Sequence, residues 1–353
     1  MWLLILAPIL VWSGCRKAQI TEPGGGEPIA PNNLVVLRVG DGSQALTNSA
    51  TAVFVDIYTP TGTFVKTIPI PATASGANAR LTISGTATSE GSLVQSVNGH
   101  YLFLAGYDAD LGTAGVSSTA VATVNRVVAR LDTAGKIDVS TRITDSFDGN
   151  NARGACSIDG NSLWVCGASG GIRFTTLGSN TSTGLETALT TVRVVNIFNG
   201  QLYCSSSKST YIAVSMVGTG TPTSPGQTLT PLAGMPTTGT HSPFGFSFSS
   251  DGRTLYVADD GLNADGGGIQ KWTFDGSNWK LAYTLLGTGS DTLSTRGLVV
   301  DWSGAKPVLY ATTTAPSANL LIKLTDTSAT SKETVLATAA ANTQFHGVAF
   351  APK

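Results

Sequence analysis

Six side chains spread along the chain could act together on one ligand: Glu90, Arg153, Arg193, Phe244, Arg296 and His346. Five of them stand directly before a glycine, as Glu90-Gly91, Arg153-Gly154, Phe244-Gly245, Arg296-Gly297 and His346-Gly347; Arg193-Val194 is the departure. Successive members are 63, 40, 51, 52 and 50 residues apart, which suggests equivalent slots of a repeat. Guanidinium groups offer paired N–H donors that match carboxylate or phosphate. His346 and Glu90, with His241 two residues ahead of Pro243, are the groups that could move a proton. The chemistry they suggest is recognition of a small anion, or hydrolysis in which arginines stabilise an oxyanion and His346 or Glu90 carries the proton. A structural alternative has Glu90 and the loop carboxylates Asp108, Asp110, Asp259 and Asp260 neutralising the arginines as struts. A catalytic site requires Arg153, His346 and Glu90 to approach one point. Struts require each guanidinium to be already bonded.

The elements that must position these groups are strands. Behind each leading residue comes an alternating apolar run, then a turn, then a second strand written Leu-aromatic-small: Leu102-Phe103-Leu104, Leu163-Trp164-Val165, Leu202-Tyr203-Cys204, Leu255-Tyr256-Val257 and Leu309-Tyr310-Ala311. The turns are Asn98-Gly99, Asp159-Gly160, Asn199-Gly200, Asp251-Gly252 and Ser303-Gly304, and Asx-Gly between alternating runs is a strong hairpin signal. The sixth copy has only its first strand, 345–350, at the C-terminal end, while residues 34–70 supply three strands without a first. Joining them closes a ring and removes the exposed sheet edges. The expectation is an all-β, six-bladed β-propeller with four-stranded antiparallel blades, spanning 32–353 as one domain. Inner strands of such a ring line a central channel, so the six leading residues gather at its mouth. The glycines that follow permit close approach at the axis.

Net charge is −1 and the pI near 6.3, so no basic field recommends nucleic acid as a partner. Residues 2–12 are almost wholly apolar and precede Ser13-Gly14-Cys15-Arg16-Lys17. A run of that length fits a signal peptide, and small residues before a lone cysteine fit a lipobox in which Cys15 is lipidated. Residues 1–15 are therefore read as signal peptide and lipobox, and 16–31, rich in Pro, Gly and Glu, as a flexible tether. The protein is expected as an exported lipoprotein of a bacterial outer membrane or cell surface, or as a secreted or periplasmic protein. It would be a monomer held to the membrane by its N-terminal lipid alone.

Cys156, Cys166 and Cys204 remain inside the ring. A two-residue Asp159-Gly160 turn pairs position 156 with 163 and 153 with 166, which leaves the two sulfurs of that blade out of disulfide geometry. Free thiols are expected. No cofactor is implied, although Asp259, Asp260, Asn263 and Asp265 cluster oxygen ligands around glycines as a calcium loop would; a solvated turn is the plainer reading.

The segments Ser249-Ser250-Asp251-Gly252-Arg253-Thr254-Leu255-Tyr256-Val257-Ala258-Asp259 and His346-Gly347-Val348-Ala349-Phe350 resemble the strand-turn-strand signature of the bacterial YVTN/lactonase-like and NHL/SMP-30-like propellers. The resemblance covers about 33–353 as architecture. It implies a channel mouth grouping His, Glu and Arg, to which Glu90, Arg153, Arg193, Arg296 and His346 would correspond. Of the Glu, Asn and Asp that hold a divalent metal in SMP-30-type enzymes, Glu90 alone has a counterpart. Two functions follow as expectations: a module binding a small anionic ligand, or an extracellular protein or glycan, through its loop face and channel mouth; and a lactonase-type hydrolase using the same cluster.

Overall fold

Each apolar run flanked by turn residues forms a strand in the computed structural model, which describes residues 28–286 and 294–353. The lipobox with Cys15 and the tether as far as residue 27 lie outside the described residues. Blade one pairs Gln344–Phe350, Leu34–Val39, Val53–Tyr58 and Phe64–Pro69, in that order from the axis. Blade two holds Val94–Gln95, Tyr101–Tyr107, Arg126–Asp132 and Ile137–Ile143; blade three, Ala152–Ser157, Ser162–Gly167, Ile172–Thr176 and Thr183–Glu186. Blade four holds Val192–Phe198, Gln201–Ser206, Ala213–Val217 and Leu229–Pro231; blade five, Pro243–Phe248, Thr254–Asp259, Gly268–Phe274 and Trp279–Leu285. Blade six holds Thr295–Asp301, Val308–Thr313, Leu320–Thr325 and Glu333–Thr338. The protein is thus a six-bladed β-propeller of four-stranded antiparallel blades, and it contains no α-helix among the described residues. The ring closes as expected, with Leu34 opposite Phe350 and Val39 opposite Gln344.

The core lies between blades, because each sheet is apolar on both faces and buries each against a neighbour. Val55, Leu102 and Leu104 join blade one to two, Phe103 and Val165 two to three, and Trp164, Cys204 and Phe246 three through five. Tyr256 and Leu309 join five to six, and Leu321 with Val348 completes the circuit. Ile29 belongs to this core as well. It lies at the end of the segment expected as a tether, yet it is buried and donates its N–H to Thr133 O at 3.0 Å.

The inner strands depart from regular pairing at the leading residues. Register shifts fall between Ala152 and Gly154, Val192 and Val194, Pro243 and Phe246, and Thr295 and Leu298. In blade one His346 and Gly347 together oppose Leu37, since Val36 pairs with Val348 and Arg38 with Phe345. Each is a β-bulge, a device that re-aims a side chain at a strand end. The glycines serve packing. A Cβ built on Gly347 would lie 2.4 Å from Leu93 N and 2.5 Å from Gly91 O; one on Gly297 would lie 2.6 Å from His346 O. Inner strands of adjacent blades therefore touch backbone to backbone.

One local expectation is corrected. In blade three Cys156 pairs with Trp164 and Cys166 with Gly154, one residue off the two-residue-turn register. The turn is wider because Asp159 Oδ1 accepts the N–H groups of Asn161 and Ser162 while Ser157 Oγ accepts that of Gly160. Cys156, Cys166 and Cys204 are free and buried. In blade four the third strand begins at Ala213, because Thr210 and Ala213 take positive φ and turn the chain there.

Gly347→Ala should destabilise by about 1–3 kcal/mol, since backbone atoms must move to admit one methyl. Gly304→Ala, whose added Cβ would sit 3.5 Å from its nearest neighbour, should change little. Urea melts of both variants compare the two, and equal midpoints would refute the backbone contact as the reason for the glycine.

Candidate functional site

Five of the six leading residues, four of them at bulges, meet at one cavity of about 100 Å³ lined by Glu90, Arg193, Phe244, Arg296 and His346. The rest of its lining mixes apolar residues, among them Val194, Phe246, Leu298 and Val348, with Thr88, Ser92, Asn196 and Ser247. Arg153 is not part of the lining. It is buried, with Nε donating to Asn151 Oδ1 at 3.0 Å and Nη1 to Val192 O at 3.2 Å.

Phe244 sits between two cations. The guanidinium carbon of Arg193 lies 4.6 Å from the ring centroid and that of Arg296 lies 5.6 Å from it. Both distances are within reach of the ring's quadrupole. Arg296 Nε donates to Asp260 Oδ2 at 2.8 Å. Arg193 has no ion pair among the described residues; its Nη2 donates to Ser207 Oγ at 3.3 Å and its buried Nε has no partner. Burial, followed by the nearby Arg153, pushes the Arg193 guanidinium down to about 10. It remains charged at neutral pH and is held against its own kind. Of the three guanidiniums expected here, one alone meets a carboxylate among the described residues.

His346 is fixed as a neutral acceptor. Its Nδ1 lies 2.9 Å from Glu90 O, and a carbonyl can only accept, so Nδ1 carries the proton and Nε2 a lone pair. Nε2 is buried and has no partner among the described residues. Burial lowers the imidazole to about 4, with the Arg296 charge acting in the same direction and the bond to Glu90 O opposing it. At pH 7 this ring is unprotonated and too weak a base to match a proton transfer.

Glu90 behaves differently. Its Oε1 accepts the Tyr107 hydroxyl at 2.5 Å and its Oε2 the Ser84 N–H at 2.9 Å. Burial raises the carboxyl to about 7 against these two bonds. Behind it the Arg126 guanidinium lies 5.1 Å from the centroid of the Tyr107 ring and donates to the carbonyls of Asn150, Val124 and Thr119. Ser84 is placed by the short pairing of Ala50–Thr51 with Ile83–Ser84, and Tyr107 by mutual N–H to carbonyl bonds with Thr82. Sequence reasoning passed over Tyr107, Arg126 and Ser84. Tyr107 and Arg126 face each other in register at the ends of neighbouring strands, a signal readable only once that register is known.

The remaining candidates lie outside this cavity. Asp108 and Asp110 both pair with Arg80 rather than with the mouth arginines. Arg80 follows a loop to which the repeat pattern assigns no strand, so the repeat offers no reason to expect it there. His241 does not line the mouth; its Nδ1 lies 3.9 Å from Asp259 Oδ2. In the segment weighed as a calcium loop against a solvated turn, Asp259 is fully buried and accepts N–H donors from Ser242, Gly261 and Gln270, Asp260 faces Arg296, and Asp265 accepts the Thr240 hydroxyl. The side chain of Asn263 lies outside the described residues. Carboxylates serving N–H donors in separate directions do not form a cation cage, and no group of three His, Cys, Asp or Glu among the described residues could hold a metal ion.

The raised Glu90 carboxyl fixes a pH dependence. Its folded value of about 7 lies above the ordinary 4.5, so the folded state holds the proton more tightly. Its stabilisation is full below pH 4.5 and is lost as pH rises towards 7, by about 3 kcal/mol in all. Glu90→Gln should flatten that slope, because the Tyr107 hydroxyl can turn to accept from the new amide. Stability measured by urea between pH 4.5 and 8 tests this; an unchanged slope in the variant would assign it elsewhere.

No protein-family model matches this sequence, and no curated protein does. Solved structures of similar shape include two Bacteroides proteins described as a "putative 6-phosphogluconolactonase". The one from Bacteroides fragilis NCTC 9343 is 13% identical over 86% of this chain and 81% of that chain, with a TM-score of 0.49. The one from Bacteroides uniformis ATCC 8492 is 12% identical over 91% and 83%, with a TM-score of 0.46. A Pseudomonas aeruginosa periplasmic gluconolactonase is 12% identical over 90% and 99%, with a TM-score of 0.47. At these identities the likeness concerns architecture and assigns no chemistry to residues of this chain.

Proposed function

We propose that this protein is an exported, lipid-anchored propeller that binds a small carboxylate-bearing ligand in its channel mouth without turning it over. The observation that carries this reading is the pair of guanidiniums flanking Phe244, with Asp260 the one carboxylate partner among the described residues. Like charges at such separations repel by roughly 1–3 kcal/mol at an effective dielectric near 20. An anion relieves that repulsion and takes the unused N–H groups. Against turnover stand the low basicity of His346 and the engagement of both Glu90 oxygens. A lactonase or hydrolase reading has one observation in its favour: a Glu90 carboxyl near 7 is matched to proton transfer at neutral pH.

Arg193→Gln separates ligand site from strut. It should abolish binding of small carboxylates while leaving the unliganded melting temperature equal or higher, because repulsion is relieved and no ion pair is lost. Thermal-shift titrations with acetate, succinate and inorganic phosphate give the readout: saturation at a hundred times Kd stabilises by about 2.7 kcal/mol. A variant that melts well below the parent, together with no shift from any anion, would sink the binding reading. Lactone hydrolysis abolished by Glu90→Gln would restore the hydrolase.

Export and anchoring rest on the apolar run 2–12 and on Ser13-Gly14-Cys15. The full-length protein expressed in a bacterium should partition with detergent, and Cys15→Ala should move it to the aqueous phase. Aqueous partition of the parent would contradict the anchor.

A further inference from the structure

Beside the mouth lies a second cavity of about 330 Å³ between blades six, one and two. Thr88 lines both spaces, and the segments 86–90 and 343–346 run from one to the other. The groove carries no charged side chain; Thr86, Thr88, Thr314, Ser317 and Gln344 present hydroxyls and an amide beside Leu46 and Pro316.

We propose that the ligand is the C-terminal end of a peptide whose last side chain is apolar, with its carboxylate and final side chain in the mouth and its preceding residues along this groove. The proposal rests on the reading of the mouth as an anion site and adds the chemical class. Four observations lead to it. Arg193 and Arg296 keep N–H groups for a carboxylate, as do the pockets that capture chain termini. His346 Nε2 is buried with a lone pair and no partner, in a residue 7% exposed, and so calls for a donor. The N–H of the last peptide bond is such a donor, whereas a second carboxylate or the dianion of a phosphate ester brings only acceptors. The mouth's lining includes Val194, Phe246, Leu298 and Val348 beside Ser92, Asn196 and Ser247, so one part of its wall suits an aliphatic side chain. Finally, uncharged hydroxyls and amides can serve peptide carbonyls and N–H groups whatever the upstream sequence, so selectivity concentrates on the terminal residue.

Calorimetry on the intact ring with four probes tests this: acetyl-Ala-Ala-Leu as free acid, the same peptide as C-terminal amide, acetyl-leucine, and a trisaccharide ending in a uronic acid. The free-acid peptide should bind at least about tenfold more tightly than the amide and than acetyl-leucine. Thr314→Trp, which fills the groove and leaves the mouth intact, should reduce the peptide to the affinity of acetyl-leucine and leave acetyl-leucine unchanged. If acetyl-leucine binds and the peptide binds no more tightly, the groove assignment falls and the anion-binding mouth stands. If the trisaccharide binds more tightly than the peptide, the class is an acidic sugar and the proposal is overturned. If none of the carboxylates binds, both readings fall together.

Discussion

Six inner strands must share one axis, and there is no room around it for six ordinary side chains. That crowding governs the rest of the molecule. It is met by glycines that let Gly347 lie against the backbone of Leu93 and Gly91, and Gly297 against His346 O. It is met again by bulges that insert one residue on the inner strand and turn the neighbouring side chain. A residue directly before such a glycine stands at a point where the ladder is already broken. In five blades that residue is large or charged.

The electrostatics of the mouth follow from the same geometry. Strands converging on an axis bring Arg193 and Arg296 to the one ring of Phe244, although 103 positions separate them in sequence. Burial then makes each charge costly unless it is paired. Asp260 meets one of them, at the end of the second strand of blade five. Elsewhere in the ring comparable buried charges are fully engaged: Asp326 accepts Lys271, Tyr256 and Tyr283, and Arg126 is surrounded by carbonyls. The contrast with Arg193 is the reason to regard the mouth as a binding site and those clusters as braces between blades.

The architecture was legible because its causes are local and repeated. The alternation of Phe244-Gly245-Phe246-Ser247-Phe248, the Asp251-Gly252 turn and Leu255-Tyr256-Val257 state a hairpin without help from the rest of the chain. The displaced first strand at 344–350 declared the closure. Five of the six mouth residues were legible for the same reason, since equal positions in a repeat become equal positions around an axis. What escaped was everything set by register or loop path. Arg153 bonds Val192 O rather than facing the cavity, a consequence of where one bulge falls. Glu90 is drawn to Tyr107 and Ser84 by a loop pairing between residues 50–51 and 83–84 that no periodicity announces. The blade-three turn is one residue wider than its Asp-Gly suggests, because Asp159 and Ser157 cap it with their side chains.

The bond from His346 Nδ1 to Glu90 O joins positions 256 residues apart, and it lies in the mouth. Blade one is sewn from two distant stretches of chain by hydrogen bonds and packing, and the cysteines of the ring remain unlinked. Such a ring comes apart by parting at that seam. A guest that touches both His346 on blade one and the arginines of blades four and six would act as a rivet across several blades at once. Its presence would then set how long the closed form survives proteases, which attack whatever opens. Occupancy and durability become one property, and an empty ring would be the short-lived one.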